Sequence, residues 1–269
     1  MLLGIGSYSF PWAVSIYDAA RGNKLTAKDL IDYASLNKIG SVQYGDNLPL
    51  HKLNHGELNE LKVCAARSEV QIEVGTRGLN IENIEQYIRI AKTLGSKFVR
   101  MVIDDVGFHP EVPEVIEITR SVLPLLAKEQ VMLAIENHDR FPAMALKNII
   151  QSTDPELIGV CLDTANSIGA GEGIREVVDI LAPFTVNLHI KDFIVKRVDH
   201  KMGFIVEGTA AGDGMLDIPW LIRELGNTGK CKTATLELWI NPGLEPEQTL
   251  LKEKHWVDKS IEYLKNIIK

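Results

Sequence analysis

The chain has 269 residues and a formal net charge of −7 at pH 7, with 45% hydrophobic and 24% charged residues. This length suits one α/β barrel, and the composition is that of a soluble globular protein. The acidic balance and the absence of a dense Lys/Arg run argue against a nucleic-acid partner, because contact with phosphates needs a basic face. The apolar runs are too short to span a bilayer, so no membrane partner is predicted.

The amino-terminal residues and the cysteines predict the cellular location. The opening MLLGIGSYSF has neither a basic start nor a small-residue cleavage site, so it predicts a first strand and not a signal peptide. Three cysteines, Cys64, Cys161 and Cys231, show no CxxC spacing. This pattern favours a reducing cytoplasm and no disulfide framework.

Short β-rich runs alternate with longer helical stretches along the chain. The predicted strands are Leu3–Ser7, Gly40–Gly45, Gln71–Thr76, Lys97–Ile103, Val131–Asn137, Ile158–Asp163, Thr185–Lys191 and Thr233–Trp239. The predicted helices are Thr26–Lys38, Glu57–Ser68, Ile81–Leu94, Pro113–Lys128, Ala143–Gln151, Ile174–Ala182, Ile218–Leu225 and Gln248–Ile267. The helical stretches repeat apolar residues at three- and four-residue spacing. Thr26 is a predicted cap, and Gly95 and Gly226 stand where helices are predicted to end.

This alternation predicts parallel strands with right-handed crossovers, closed into a single (β/α)8 TIM barrel that forms one domain over residues 1–269. The alternative is an open doubly wound sheet, but the turn after the first strand lacks the Gly-rich phosphate loop typical of that fold. A long glycine-containing stretch after Lys191 predicts either a functional loop or a plain surface loop.

Four polar side chains share the inward parity near the carboxyl ends of the last four predicted strands. They are Glu136, Asp163, His189 and Glu237. Alternate side chains of a barrel strand point inward, and barrel enzymes place their active sites at the carboxyl ends of the strands. In the seventh strand, the same alternation sets Val186, Leu188 and Ile190 against the helices. We therefore expect the four polar side chains to converge.

Convergence of three carboxylates is costly unless a cation compensates their charge. One divalent metal ion bound by these four side chains satisfies that need. Oxygen ligands with one imidazole favour Mn²⁺ or Mg²⁺ and are also compatible with Co²⁺ or Zn²⁺. The alternative is a buried ion-pair network in which the acids pair with Arg100 and Lys191, which share the inward parity.

Further residues are candidates for binding a substrate at the same mouth. The substrate-binding candidates are Trp12, Arg77, Arg100, His138 and Trp239. Tryptophan faces pack against sugar C–H groups but also fill cores, and Arg77 could bind an anion or form a surface ion pair. Lys191 is a catalytic candidate: burial near a metal can lower a lysine pKa, although pairing with Glu136 or Glu237 is the alternative.

Several segments resemble the xylose-isomerase-like barrel superfamily of sugar phosphate isomerases and epimerases. They are Ile135-Glu136-Asn137-His138, Leu162-Asp163-Thr164-Ala165-Asn166, His189-Ile190-Lys191-Asp192 and Leu236-Glu237-Leu238. The resemblance runs from the first strand to Trp239. It implies that Glu136, Asp163, His189 and Glu237 hold the catalytic metal. It also implies that the two glutamates serve as an acid–base pair in an epimerase.

The leading hypothesis is therefore a divalent-metal-dependent isomerase or epimerase that removes a proton beside the carbonyl of a sugar or sugar derivative. The His189–Asp192 run departs from the tagatose-epimerase pattern and favours, as the alternative, a dehydratase of a keto-sugar or keto-inositol. An endonuclease IV-like site is disfavoured because Asn166 stands where that enzyme has a histidine. A non-catalytic binding protein is disfavoured because all four ligands are present. The last predicted helix offers a surface for a homo-oligomer, which nothing in the sequence requires.

Overall fold

The computed structural model describes residues 1–16 and 22–268. The described strands are β1 (Leu2–Gly6), β2 (Ser41–Tyr44), β3 (Gln71–Arg77), β4 (Phe98–Val102), β5 (Met132–Glu136), β6 (Ile158–Asp163), β7 (Thr185–Ile190), β8 (Phe193–Arg197), β9 (Phe204–Gly208) and β10 (Thr233–Leu236). The described α-helices are α1 (Ala27–Leu36), α2 (His55–Arg67), α3 (Ile81–Leu94), α4 (Val112–Glu129), α5 (Ala143–Gln151), α6 (Ile174–Leu181), α7 (Ile218–Asn227) and α8 (Pro246–Ile267). None of the helices in these ranges is long and apolar enough to cross a membrane.

Eight of these strands close into a parallel barrel in the order β1-β10-β7-β6-β5-β4-β3-β2. Closure comes from β1, which pairs with β2 on one side and with β10 on the other. The predicted (β/α)8 barrel is confirmed. Because all eight strands run in the same direction, their carboxyl ends meet at one mouth.

Local sequence signals determine where several helices begin and end. In the capping box of α1, the Thr26 side chain accepts from the backbone N–H of Asp29, and the Asp29 side chain accepts in return. Gly95 ends α3 in the left-handed region at φ 79°, as predicted. The prediction for Gly226 is wrong, because α7 continues through it to Asn227.

The barrel interior contains a small apolar cluster, formed by Phe98, Ala134, Cys161 and Val186. The prediction that Val186 faces the helices is wrong. The register between β6 and β7 shifts at Val160/Cys161, so that Val160 pairs with Thr185 while Cys161 pairs with Asn187. This irregularity leaves Val186 as an extra residue and turns it inward, whereas Asn187 and the residues after it keep the predicted alternation.

The long stretch after β7 is not a plain loop. Its strands β8 and β9 form an antiparallel ribbon, with Phe193 opposite Gly208 and Arg197 opposite Phe204. Alternation of apolar and polar residues did not predict this ribbon, because most of its side chains are exposed and neither face is buried.

Asp192 anchors the base of this ribbon to the barrel. Its buried carboxylate accepts hydrogen bonds from the backbone N–H groups of four residues: Phe193, Gly212, Gly214 and Leu216. A Cβ atom at Gly214 would lie 2.0 Å from Asp192 Oδ1, so this close approach requires glycine. The acid therefore shapes the glycine-rich segment beside the barrel mouth.

Candidate functional site

The four predicted metal ligands meet at the carboxyl-terminal mouth of the barrel. Glu136 and Asp163 are the last residues of β5 and β6, and His189 lies near the end of β7. Glu237 follows β10, and its N–H donates to the Ile190 carbonyl at 3.0 Å, which continues the ladder. All four side chains are buried. The predicted convergence is therefore present in the structure, although the roles of the residues remain predictions.

His189 Nδ1 is the atom around which the three carboxylates gather. It lies 3.5 Å from Glu136 Oε2, 3.8 Å from Asp163 Oδ2 and 3.4 Å from Glu237 Oε1. The ligand atoms of Asp163, His189 and Glu237 all lie within 4.8 Å of one another. A second set within the same distance joins Glu136, His189 and Cys161.

One of these buried atoms, His189 Nδ1, is left without a hydrogen-bond partner in the described part of the chain, as suits a metal ligand. Among the described residues, His189 Nδ1 and Asp163 Oδ2 have no hydrogen-bond partner, although Asp163 Oδ2 takes part in an ion pair. The other ring nitrogen, His189 Nε2, lies 2.6 Å from Gln43 Oε1 and donates to it. Buried polar atoms are rarely left unpaired, and a metal-binding imidazole usually donates its second N–H to an oxygen. The side chains therefore fit a bound divalent cation.

Two cationic side chains enter the same cluster. Arg100 Nε donates to Glu136 Oε2, and Arg100 Nη1 lies 3.2 Å from Asp46 Oδ1. Lys191 Nζ lies 2.8 Å from Asp163 Oδ2 and 3.0 Å from Glu237 Oε2. The ion pairs of the alternative interpretation are therefore present. They do not replace a cation site, because they leave His189 Nδ1 unsatisfied.

The electrostatics of Lys191 bear on its two interpretations, a lowered pKa and pairing with an acid. Burial opposes its charge, but the attraction of Asp163 and Glu237 outweighs burial and raises the pKa of Lys191. Of the two interpretations of Lys191, the arrangement shows the pairing with acidic neighbours, through Asp163 and Glu237. Burial likewise works against ionisation of Asp163, yet Lys191 and His189 keep the pKa of Asp163 low. Lys191 is thus a charged ammonium in this arrangement and can donate a proton but not accept one.

A cavity of about 440 Å³ opens above the cluster. All five predicted substrate-binding residues line it: Trp12, Arg77, Arg100, His138 and Trp239. Lys191 Nζ lies 5.5 Å from the centre of the Trp239 ring, and Trp12 Nε1 donates to the Ile240 carbonyl at 2.8 Å. His138 Nδ1 pairs with Asp139 and not with a predicted ligand.

Sequence reasoning missed three polar residues of this site. Tyr8 donates through its hydroxyl to Asp46 Oδ2 at 2.9 Å, and both side chains line the cavity. Asn166 Nδ2 donates to Glu136 Oε1 at 2.8 Å. Asn166, which argued against an endonuclease IV-like site, therefore contacts a predicted metal ligand. Asp46 carried a usable signal, because it follows the end of β2 closely. Tyr8 belongs to the site through its contact with Asp46 across the barrel mouth, and the sequence alone does not show this contact.

Below the charged cluster lies a layer of buried amides and hydroxyls around one acid. Gln43 Nε2 donates to Glu73 Oε2 at 3.0 Å and to Asn187 Oδ1 at 3.1 Å. Asn187 Nδ2 donates to Thr233 Oγ1 at 2.7 Å, and Thr235 Oγ1 lies 3.4 Å from Glu73 Oε2. This layer supports the site from beneath through hydrogen bonds alone.

Comparison with known proteins relates this chain to a family. The sequence model of the xylose isomerase-like TIM barrel matches residues 72–267. The 3-oxo-isoapionate decarboxylase of Pectobacterium atrosepticum is 28% identical over 264 residues, which cover 98% of this chain and 95% of that protein.

Two solved structures share the architecture. A D-psicose 3-epimerase from Clostridium cellulolyticum H10, solved with D-tagatose, has a TM-score of 0.74 at 14% identity and full coverage of both chains. A probable 3-DHS dehydratase from Bacillus anthracis has a TM-score of 0.67 at 15% identity, covering 96% of this chain and 99% of that one. At these identities the likeness establishes the fold alone.

Proposed function

The chain belongs to the xylose isomerase-like TIM barrel family, and from this premise we propose that it is a divalent-metal-dependent lyase that decarboxylates a keto sugar acid. The observation that carries the proposal is the position of Lys191. Its ammonium group contacts Asp163 and Glu237 and also lines the cavity. The decarboxylase from Pectobacterium atrosepticum, similar over nearly the whole chain, supports the same class of reaction.

The charge of the site favours an anionic substrate. With His189 neutral, as a metal ligand must be, the carboxylates of Glu136, Asp163 and Glu237 face the two cations Arg100 and Lys191, which leaves one negative charge in excess. Asp46 and Arg77, at 3.7 Å, offset each other at the rim. A divalent ion would turn the excess into one positive charge, and a substrate carboxylate would neutralise it.

The hydrogen bonding of Glu136 favours decarboxylation over removal of a C–H proton. A general base needs a free oxygen within reach of the proton. Glu136 has one oxygen bonded to Arg100 and the other to Asn166, and Glu237 Oε2 lies beside Lys191. Loss of carbon dioxide needs no base, because the C–C bond itself supplies the electron pair.

The reaction requires acceptance of that electron pair and delivery of one proton. The bond to the carboxylate breaks, the electrons pass toward the neighbouring keto oxygen, and the carbon that loses carbon dioxide takes a proton. A divalent ion held by Glu136, Asp163, His189 and Glu237 would supply Lewis acidity toward that oxygen. Lys191 Nζ is the proton donor that we assign, and Arg77 is the rim group that we assign to the substrate anion.

Isomerisation or epimerisation of a ketose is the second candidate. It is favoured by the presence of Glu136 and Glu237 on one cavity, and by the solved epimerase of the same fold. Dehydration of a keto-sugar shares the first step with this candidate, and the dehydratase of the same fold supports it. In both alternatives Glu136 would have to leave Arg100 or Asn166 before it could act as a base.

A substrate panel under metal control separates the three reactions. Chelator-treated protein, alone and supplied with Mg²⁺, Mn²⁺, Co²⁺ or Zn²⁺, is incubated in D₂O with 3-oxo-isoapionate, D-tagatose, D-psicose and a keto-inositol. We expect metal-dependent release of carbon dioxide from the keto acid, with one deuterium retained in the product. Deuterium exchange into a ketose without loss of carbon dioxide or water would overturn the decarboxylase in favour of the epimerase. Loss of water from a substrate would overturn it in favour of the dehydratase.

A further inference from the structure

The orientation of the His189 ring depends on a single side chain outside the predicted ligand set. His189 Nε2 donates to Gln43 Oε1 at 2.6 Å, and the ring is fully buried. This hydrogen bond keeps a proton on Nε2 and directs Nδ1 toward the three carboxylates. No other hydrogen bond to either ring nitrogen occurs within the part of the chain that the structure describes.

The neighbours of Gln43 fix which way its amide points. Gln43 Nε2 lies 3.0 Å from Glu73 Oε2 and 3.1 Å from Asn187 Oδ1. An amide oxygen can only accept, and Asn187 Oδ1 faces Gln43 because Asn187 Nδ2 donates to the Thr233 carbonyl and hydroxyl. The amide nitrogen of Gln43 must therefore face Asn187 and Glu73. The amide oxygen is thereby left for His189, and a reversed amide would lose the hydrogen bonds on both sides.

Glu73 in turn is held by donors from the opposite side of the barrel. Its Oε2 lies 3.4 Å from Asn187 Nδ2 and 3.4 Å from Thr235 Oγ1. Glu73, Gln43 and His189 therefore form a buried chain from the middle of the barrel up to its mouth. The chain crosses from β3 through β2 to β7, so it links strands that are not all neighbours.

We propose that Gln43, oriented by Glu73, is a positioning residue that presents His189 Nδ1 to the metal and thereby tunes metal affinity. The inference rests on the metal site in the proposed function. It does not depend on which reaction that site performs. Partners that orient a metal-bound imidazole typically change metal affinity by about 10- to 100-fold when they are removed.

The test compares three variants with the wild type by titration of chelator-treated protein with Mn²⁺. Gln43→Leu removes the acceptor, and we expect its Kd for Mn²⁺ to rise by about 10- to 100-fold. The double variant Gln43→Glu/Glu73→Gln exchanges the acid and the amide. The carboxylate at position 43 can still accept from His189 Nε2, and the amide at position 73 can donate to that carboxylate. We expect this variant to bind within about threefold of the wild type, because the orienting contact is retained.

Ser41→Ala is the matched control, because Ser41 lies two residues from Gln43 on β2, is buried, and has no hydrogen-bond partner among the described residues. We expect its Kd to be unchanged. A second readout is the ring N–H signal of His189 in ¹⁵N-histidine-labelled protein, assigned with His189→Gln. It should lose its hydrogen-bonded character in Gln43→Leu, remain a hydrogen-bonded signal in the double variant, and be unchanged in the control.

The outcomes separate the inference from its premise. A wild type that binds no divalent ion overturns the metal site itself. A wild type that binds Mn²⁺, with Gln43→Leu equal to it in Kd and in the ring signal, overturns the role of Gln43 alone. If Gln43→Leu does not fold, the double variant decides: a tenfold loss of affinity although the hydrogen-bonded ring signal is retained contradicts the proposal.

Discussion

Two layers of the same barrel interior solve the burial of polar groups in opposite ways. The upper layer, defined here as Glu136, Asp163, His189, Glu237, Arg100 and Lys191, is built from ions. The lower layer, defined as Gln43, Glu73, Asn187, Thr233 and Thr235, is built from amides and hydroxyls around one acid. Both layers occupy inward positions of the barrel strands.

The difference lies in whether a layer is complete by itself. In the lower layer, donors and acceptors match, so its stability needs no added ion. The upper layer leaves His189 Nδ1 unpaired and, when His189 is neutral, carries an excess of negative charge. Buried charge without a partner is costly. We therefore infer that a bound metal offsets the stability lost through substitution of an upper-layer cation, whereas it does not offset losses in the lower layer.

The largest effect is expected for Lys191→Met in metal-free protein. The substitution leaves Asp163 and Glu237 as buried carboxylates without their shared cation. Breaking a buried ion pair in this way should lower the free energy of unfolding by about 3–5 kcal/mol. Urea denaturation measures the loss, which should shrink when saturating Mg²⁺ supplies the missing charge.

Lys196→Met is the matched control for that experiment, because Lys196 pairs with Glu207 at 2.6 Å on the exposed ribbon. Its loss should be below about 1 kcal/mol and should not respond to Mg²⁺. Equal losses in the two lysine variants, or a Lys191→Met loss that metal leaves unchanged, would break the distinction between the layers.

The lower layer gives the next largest effect, through Glu73→Leu. This change leaves the donors of Gln43 and Thr235 without their acceptor. We expect the free energy of unfolding to fall by about 1–3 kcal/mol, the usual cost of unsatisfied buried groups. Glu73→Gln retains an acceptor oxygen and should lose less. Unlike the Lys191→Met loss, the Glu73→Leu loss should not shrink in Mg²⁺. Because Glu73 orients Gln43, weaker metal binding should instead make the loss larger when Mg²⁺ is present. A loss that shrinks in Mg²⁺ would contradict the distinction between the layers.

The stability of the metal-free protein should depend on pH through His189 in the upper layer. Burial disfavours a charged imidazole, but Glu237 and Glu136 outweigh burial and raise the pKa of His189 above its usual 6.5. The proton on His189 thus stabilises the metal-free protein below pH 6.5, and this contribution is lost as the pH rises through the raised pKa. The low pKa of Asp163 and of Glu237 keeps both ionised throughout this range.

A metal must displace that proton, so Mn²⁺ affinity should increase with pH until His189 is neutral, by at most about tenfold per unit. Calorimetric titration between pH 6 and 9 in two buffers of different ionisation enthalpy measures the affinity and the protons released. A pH-independent affinity without proton release would contradict the assignment of His189 as a ligand.

The sequence predicts the upper layer better than the lower one, for a physical reason. Carboxylates and a histidine at inward positions of consecutive strands are conspicuous, because isolated ions rarely occupy a barrel interior. Gln43 carries no such signal, since a single amide in a short strand is equally compatible with an exposed edge. Its importance arises from contacts with Glu73 and His189, which lie 30 and 146 residues away in the chain.

Register is the other feature that strand alternation could not supply. Counting by twos along β7 placed Val186 outward, but the irregularity opposite Cys161 turns it into the interior. A bulge is determined by how two strands fit together, so neither strand shows it alone. The predicted ligand His189 lies beyond the bulge, which is why its inward orientation was nevertheless predicted correctly.

The smallest expected effect has the opposite sign and tests the completeness of the lower half of the barrel. Ser41 Oγ is buried and has no hydrogen-bond partner among the described residues. It also packs tightly, since a Cβ added at Gly4 would lie 2.5 Å from it. Removal of an unsatisfied buried hydroxyl relieves its desolvation penalty, so Ser41→Ala should raise the free energy of unfolding by about 0.5–1 kcal/mol, with or without metal. Urea denaturation at neutral pH measures this change. A loss of stability instead would mean that the hydroxyl is satisfied by a group outside the hydrogen bonds described above, such as an internal water.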